Sequence, residues 1–88
     1  MLRICPNPFR SSALITYGLA KPADVSLKIY NIAGQCVRIL VKGKQNAGAY
    51  NINWRGNDDH GRKLSEGIYF VRMATGNHTE TFKVVMVR

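Results

Sequence analysis

The residues best suited to catalysis are few in this 88-residue chain, and they are widely separated. His60 follows Asp59, and Ser65 is the only hydroxyl residue close to it in sequence. Nucleophilic catalysis requires a hydroxyl or thiol beside a base, with a third group that orients the base. The sequence supplies no such arrangement around His60, and we interpret the chain as non-enzymatic.

Soft metal ligands are equally sparse. The chain contains two cysteines and two histidines, namely Cys5, Cys36, His60 and His78. Structural zinc sites usually take their ligands in pairs about two to four residues apart, and no such pair occurs here. We therefore predict no zinc site and no cofactor. The two cysteines could form one disulfide, although nothing in their spacing requires it.

Asp58 and Asp59 are the best candidates for binding a hard cation, together with Asn57. Calcium takes about six to eight oxygen ligands, whereas these two carboxylates are flanked by Arg55 and Arg62. Asp and Asn side chains also stabilise turns by accepting hydrogen bonds from nearby backbone N–H groups. The sequence therefore favours a turn over a calcium site at this position.

The chain is strongly basic, with 13 Lys and Arg against 5 Asp and Glu and a formal net charge of +8. The cations are spread along the whole sequence, whereas proteins that read nucleic acid usually collect them on one face. This distribution favours a solvated surface whose charges discourage aggregation. An acidic protein partner is the next alternative, and we predict no specific nucleic-acid partner.

Neither a membrane-spanning segment nor an N-terminal signal peptide is predicted from this sequence. Its uncharged apolar stretches extend over a few residues, far fewer than the roughly 20 that span a bilayer. Residues 1–10 lack the apolar centre of a signal peptide. We predict no transmembrane segment, and export would require an upstream segment outside this chain.

Short stretches of β-forming residues alternate with turn residues, as is typical of all-β sandwiches and barrels. Strands are predicted at residues 13–19, 25–30, 35–41, 50–54, 67–74 and 79–87. Polar loops are predicted at 42–48 and 56–66, and turns at 31–34 and 75–77, where Asn77 tolerates the left-handed conformation that such turns often need. The sequence thus predicts an all-β domain of six or seven antiparallel strands in two packed sheets.

Aromatic residues could form a stacking platform for sugars or bases, but their spacing favours the interior. Tyr50, Ile52 and Trp54 share one face of a predicted strand, so they should fill the core between the sheets. The predicted core consists of Ile15, Tyr17, Leu27, Ile29, Tyr50, Ile52, Trp54 and Tyr69.

An ordered series of motifs runs from about residue 4 to residue 88. The series is Pro6-Asn7-Pro8-Phe9, Ile15-x-Tyr17-x-Leu19, Val25-x-Leu27-x-Ile29-Tyr30-Asn31-x-x-Gly34-Gln35, Ala47-Gly48-x-Tyr50-x-x-x-Trp54-x-Gly56-x-Asp58-x-x-Gly61 and Gly67-Ile68-Tyr69-Phe70-x-Arg72. Taken together, these motifs resemble the C-terminal sorting domain (type A) of proteins exported by the type IX secretion system of the Bacteroidetes. A closely similar immunoglobulin-like module occurs in the flagellar hook-capping protein.

The resemblance implies a single immunoglobulin-like antiparallel β-sandwich of about seven strands over residues 1–88. It also implies an exported, cell-surface or extracellular role as an address tag that the export machinery reads. The alternative is a structural immunoglobulin-like module in an extracellular or flagellar-hook-type assembly. The expected partners are therefore proteins, either the export machinery or assembly neighbours, and exposed strand edges could also allow self-association. The last predicted strand runs to the end of this sequence, which favours the tag.

The resemblance suggests that the final residues form part of the export signal. The candidate recognition residues are Lys83, Val84, Val85, Met86, Val87 and Arg88. The alternation of Phe82, Val84 and Met86 predicts that one face of this strand packs on the core. Lys83 and Arg88 are then exposed charges, and replacing both with Gln should change stability by less than about 0.5 kcal/mol.

Overall fold

The computed structural model describes residues 2–88, which form seven β-strands. The strands are β1 (Leu2–Cys5), β2 (Ala13–Leu19), β3 (Ala23–Tyr30), β4 (Cys36–Gln45), β5 (Gly48–Trp54), β6 (Gly67–Thr75) and β7 (His78–Met86). No helix capable of crossing a membrane is found in this part of the chain.

The seven strands form two antiparallel sheets that pack face to face. One sheet has the order β1-β2-β5, and the other has the order β4-β3-β6-β7. In the first sheet Ile15 lies opposite Ile52, and in the second Leu27 lies opposite Met73. The prediction of an antiparallel β-sandwich of about seven strands is confirmed.

The core lies between the sheets and is built by alternate residues of each strand. Because side chains of a strand point to opposite faces in turn, one apolar set is buried and the intervening set faces solvent. Tyr50 and Ile52 were predicted to lie in the core but are only half-buried. They lie on the edge strand β5 and pack against the core from there. The buried residues are Leu2, Phe9, Ala13, Ile15, Tyr17, Val25, Leu27, Ile29, Trp54, Tyr69, Val71, Met73, Val84 and Met86.

The structure differs from the predicted elements at three places. The short strand β1 was not predicted, because its four residues directly precede a segment rich in turn-forming residues. The predicted loop at 42–48 is wrong, because β4 continues to Gln45 by pairing with the start of β3. In the β6–β7 turn the left-handed residue is Gly76 (φ 56°), not Asn77. Glycine reaches positive φ without steric cost, and every residue with positive φ among residues 2–88 is a glycine.

The predicted turn at 31–34 joins β3 to β4 through hydrogen bonds made by Asn31. Its side-chain Oδ1 accepts hydrogen bonds from the backbone N–H groups of Ala33 and Gln35, both at 3.0 Å. Gly34 adopts a φ of 83°, a conformation that glycine reaches without steric cost. Local side-chain chemistry therefore sets the direction in which β4 returns along β3.

Replacement of Trp54 with Ala should be the most damaging single core truncation. Its side chain is 1% exposed, and removing such a residue costs about 3–5 kcal/mol. That loss approaches the total stability of about 5–15 kcal/mol that small domains have. Urea unfolding followed by far-ultraviolet circular dichroism measures the effect.

Leu14→Ala is the matched control, because Leu14 is 39% exposed on the outer face of its sheet. It should lower stability by about 1 kcal/mol or less. Equal losses in the two variants would contradict the packing described here.

Candidate recognition surface at the C-terminal strand

The candidate recognition residues 83–86 end β7, an edge strand of the four-stranded sheet, and Val87 and Arg88 follow it. The structure buries Val84 and Met86, whose side chains are 0% and 1% exposed. Lys83 is exposed, and Val85 is half-buried opposite Ile68 of β6. A protein that docks on the folded domain can therefore contact only alternate side chains of residues 83–86, whereas Val87 is half-buried and Arg88 is exposed.

The free edge of β7 is covered at this point by the segment 6–9 near the start of the chain. Asn7 donates from Nδ2 to the carbonyl of Lys83 and accepts at Oδ1 from the N–H of Val85, both at 2.9 Å. Phe9 donates its N–H to the carbonyl of Val85 and accepts from the N–H of Val87, also at 2.9 Å each. The backbone of the candidate signal is thus hydrogen-bonded on its outer side as well as to β6.

The segment 6–9 is held in this position by burial of Phe9. Its ring is 1% exposed and lies 5.4 Å from the indole of Trp54, measured between centroids. Pro6 and Pro8 on either side of Asn7 carry no backbone N–H. The amide side chain of Asn7 supplies the hydrogen-bonding groups that pair with β7 here.

Arg88 connects the end of the described chain to the β5–β6 connection, residues 55–66. Its guanidinium donates to the carbonyl of Leu64 from Nε (3.1 Å) and Nη2 (2.8 Å), and to the carbonyl of Gly56 from Nη2 (3.2 Å). Its backbone N–H donates to the Glu66 carboxylate at 3.1 Å. Arg88 is solvent-exposed, yet these bonds revise the expectation that its replacement would be neutral.

Gly56 is required at the point where Arg88 and Met86 approach the loop. It is buried and has a φ of 71°, which side-chain-bearing residues rarely adopt. A Cβ at this position would collide with Sδ of Met86 and would lie 3.3 Å from Nη2 of Arg88. The glycine therefore allows the backbone of the loop to contact the end of β7 directly.

Asp58 stabilises a turn in the same loop, as its sequence context suggested. Its Oδ1 accepts hydrogen bonds from the backbone N–H groups of Arg62 and His60, both at 2.9 Å. These bonds, led by the one from Arg62 and aided by the nearby Arg62 guanidinium, lower the pKa of the Asp58 carboxyl below its ordinary 3.8. The carboxylate is thus stabilised in its charged form by the loop itself.

Asp59 joins the loop to the outer edge of β4. Its Oδ1 accepts from the N–H of Ile39 at 3.0 Å, and its own N–H donates to the carbonyl of Val37 at 3.1 Å. The Arg38 guanidinium lies 3.9 Å from the same carboxylate. Both aspartates therefore bind protein groups that organise the loop and cover part of the β4 edge.

The other chemically capable residues are dispersed over the surface. Cys5 and Cys36 are free and exposed, and across residues 2–88 no three potential metal ligands lie together. His78 begins β7, and its Nε2 is 3.4 Å from the Glu80 carboxylate. These positions do not converge on a catalytic or metal-binding centre.

Comparison with known proteins places this geometry in a family. The model of the FlgD Ig-like domain matches residues 8–79 of the chain. The chain belongs to the FlgD Ig-like domain family. The assignment confirms the resemblance to the immunoglobulin-like module of the hook-capping protein. No curated protein matches the chain.

Two solved structures from Porphyromonas gingivalis share the fold of this Ig-like domain. One is dimeric latent PorU, which matches over 98% of this chain and 9% of its own length, with a TM-score of 0.75 and 21% identity. The other is PorZ, an essential surface component of the type IX secretion system. It matches over 99% of this chain and 11% of its own length, with a TM-score of 0.67 and 20% identity. The chain therefore spans about a tenth of either protein.

Sequence reasoning missed the residues that position the end of β7. Asn7 and Phe9 were recognised as parts of a motif, but their contacts with β7 were not predicted. Asn7, for example, bonds to Lys83 and Val85, which follow it by 76 and 78 residues. Arg88 was treated as a free surface charge, although it bonds to Leu64 and Gly56. The available signal for the first contact was Asn between two prolines, which suggests an amide substituting for backbone groups.

Arg88→Gln should destabilise the Ig-like domain by about 1–2 kcal/mol, because hydrogen bonds to a charged group contribute at least that much. Lys83→Gln is the matched control, since the Lys83 side chain is exposed and its carbonyl bond to Asn7 is unchanged. The control should stay within about 0.5 kcal/mol of the parent. Urea unfolding gives the free energies, and amide hydrogen exchange should show faster opening of residues 56–66 in Arg88→Gln alone. Equal stability of both variants would show that the hydrogen bonds from Arg88 to Leu64 and Gly56 do not stabilise the domain.

Asp58→Asn should destabilise the domain at neutral pH and lose its effect in acid. The folded-state pKa of Asp58 is lowered, so its charge stabilises the fold above the ordinary pKa of 3.8, and that stabilisation is lost as the pH falls through the folded value. Unfolding measured from pH 7 downward should therefore show the parent and the variant converging below pH 3.8. A difference that is independent of pH would show that the charge has no role.

Proposed function

We propose that this Ig-like domain is a non-catalytic sorting domain, which addresses an attached protein to type IX export machinery and to the cell surface. Its partners are then proteins of that machinery, and the protein carrying it is exported. The domain contributes a surface for recognition and no chemistry, because the carboxylates of Asp58 and Asp59 bind backbone N–H groups, that of His60 among them, and serve the loop structure.

The likeness to PorZ supports this proposal at the level of the fold. Nearly the whole chain corresponds to one small part of a type IX surface component. A fold alone does not determine function, because unrelated functions are built on common sandwiches. The export role therefore depends on the surface that the domain presents.

The observation that carries the proposal is the ordered presentation of the end of β7. Lys83 and Val85 project from a strand that is paired with β6 on one side and with Asn7 and Phe9 on the other. Arg88 fixes the following residues against the loop. A receptor would meet a strand whose shape is set before binding, which reduces the entropy lost on association.

The second candidate is a structural Ig-like module in an extracellular or flagellar-hook-type assembly. The match to the FlgD Ig-like family favours it. Both functions use the same sandwich, and they differ in whether the domain alone directs a foreign protein out of the cell.

An export assay tests the sorting role directly. A reporter with a signal peptide is fused before residues 1–88 and expressed in a bacterium with a working type IX system, with a secretion-deficient mutant of the same strain as a comparison. We expect the reporter on the surface or in the medium of the competent strain alone. Retention in both strains would contradict the sorting role and favour the structural module.

Charge variants of the same fusion locate the signal. Lys83→Gln should reduce export about two- to fivefold, the range expected for one exposed ion pair. Lys21→Gln makes the same charge change in the exposed β2–β3 turn and should leave export unchanged. Circular dichroism of the purified domains confirms that both variants fold. Equal export of the two would remove Lys83 from the recognition surface.

A further inference from the structure

The outer face of the four-stranded sheet combines aromatic and basic side chains. Because the intervening residues of β3 and β6 are buried, Lys28, Tyr30, Phe70 and Arg72 all point away from the core, and Lys83 of β7 lies beside them. We call these five residues the basic–aromatic face. The thirteen cations that looked dispersed in sequence are thus partly collected by the fold.

The register of this face places like charges directly opposite each other. Lys28 of β3 pairs with Arg72 of β6, and in the next row Tyr30 pairs with Phe70, which pairs in turn with Lys83. Like charges in directly opposed positions destabilise a sheet. Among residues 2–88, none of these three cations forms an ion pair. The arrangement costs stability that no ion pair among the described residues offsets.

The acidic residues of the chain lie away from the centre of this face. Asp24 is on the same side of β3 but pairs with Lys44 at the far end, and Asp58 and Asp59 are engaged in the β5–β6 connection. Glu66 accepts a hydrogen bond from the backbone N–H of Arg88. Glu80 lies beside His78, and its side chain is on the opposite side of β7 from that of Lys83. The basic–aromatic face therefore presents uncompensated positive charge.

A groove beside Arg72 adds an apolar part to the face. This open groove has a volume of about 420 Å³ and is lined by Tyr30, Ile32, Phe70, Arg72, Thr79 and Thr81, among others. Ile32, in the turn after β3, is 76% exposed and forms an apolar rim. The two threonine hydroxyls on β7 can donate or accept hydrogen bonds.

We propose that the basic–aromatic face binds an extended acidic segment of a partner protein. Carboxylates of the segment pair with Lys28, Arg72 and Lys83, and an apolar side chain between them fills the groove beside Tyr30 and Ile32. Binding relieves the repulsion between the opposed cations, so the charge arrangement that destabilises the free domain favours the complex. This inference does not depend on the export role.

Nucleic acid fits this face less well. Nucleic-acid affinity rises with the number of phosphates that Lys and Arg neutralise, which reaches about six to ten in some proteins, and this face supplies three cations. Base stacking requires an open aromatic ring, whereas Tyr30 and Phe70 are both half-buried in the sheet. A protein segment that alternates carboxylates with apolar residues matches both parts of the surface.

Titration of the labelled domain with the synthetic peptide EDEFELDE tests the proposal. Amide resonances of Lys28, Tyr30, Phe70, Arg72 and Thr81 should shift together, and added salt should weaken binding. The charge-reversed peptide KRKFKLKR and oligothymidine are the comparisons. The proposal is overturned if EDEFELDE does not bind at about 1 mM, which corresponds to a binding free energy of about −4 kcal/mol. It is also overturned if the shifts lie elsewhere, or if oligothymidine binds the same residues more tightly.

A pair of double variants with equal net charge separates this face from general electrostatics. Lys28→Gln with Arg72→Gln should weaken peptide binding about three- to tenfold. Arg3→Gln with Lys21→Gln alters exposed cations elsewhere and should change binding less than about twofold. The first pair should also unfold at equal or higher urea concentration than the parent, because it removes the like-charge pairing. Equal loss of affinity in the two double variants would overturn the proposal. So would a loss of stability in the Lys28→Gln, Arg72→Gln variant that is large enough to explain its weaker peptide binding.

Discussion

Burial of Trp54 is the constraint on which the rest of the structure depends. Its ring lies 5.4 Å from Phe9 and 5.7 Å from Tyr69, so one side chain joins the N-terminal segment, β5 and β6. Its indole N–H donates to the carbonyl of Asn57 at 2.9 Å, which also fixes the start of the β5–β6 connection. Aromatic residues supply a large share of the apolar area in small cores. Here that area also sets the position of the segment that covers β7.

Much of the fold follows from local pattern. The alternation over residues 13–19 matched β2 in full, because a strand with one buried face repeats every two residues. The pattern fails where pairing partners decide the outcome. The polar end of β4 is a strand because Lys44 pairs with Asp24. Tyr50 and Ile52 are half-buried because β5 has a neighbouring strand on one side only. The sequence shows which face of a strand is apolar, but it does not show whether a neighbouring strand covers each of its edges.

The candidate surface was less accessible to sequence reasoning. The alternation of Val84 and Met86 with their neighbours indicated which side chains reach solvent. The contacts that order the segment come from Asn7, Phe9 and the 55–66 loop, and each depends on the completed fold. The collection of Lys28 and Arg72 on one face likewise requires the register of β3 with β6, which pairs two residues 44 positions apart. Long-range register, unlike periodicity, leaves no local trace in the sequence.

The parallel contact between Phe9 and Met86 has a mechanical consequence. Phe9 and Val85–Val87 run in the same direction and share two backbone hydrogen bonds, to which Asn7 adds two more. Tension applied to the N-terminal side of this segment and to the C-terminal side of β7 pulls the two strands along their length in opposite directions. All four bonds are then loaded in shear and must break together, whereas a hairpin pulled at its open end unzips one bond at a time. A domain drawn through or held at a surface by its two ends would therefore resist extension at this contact first.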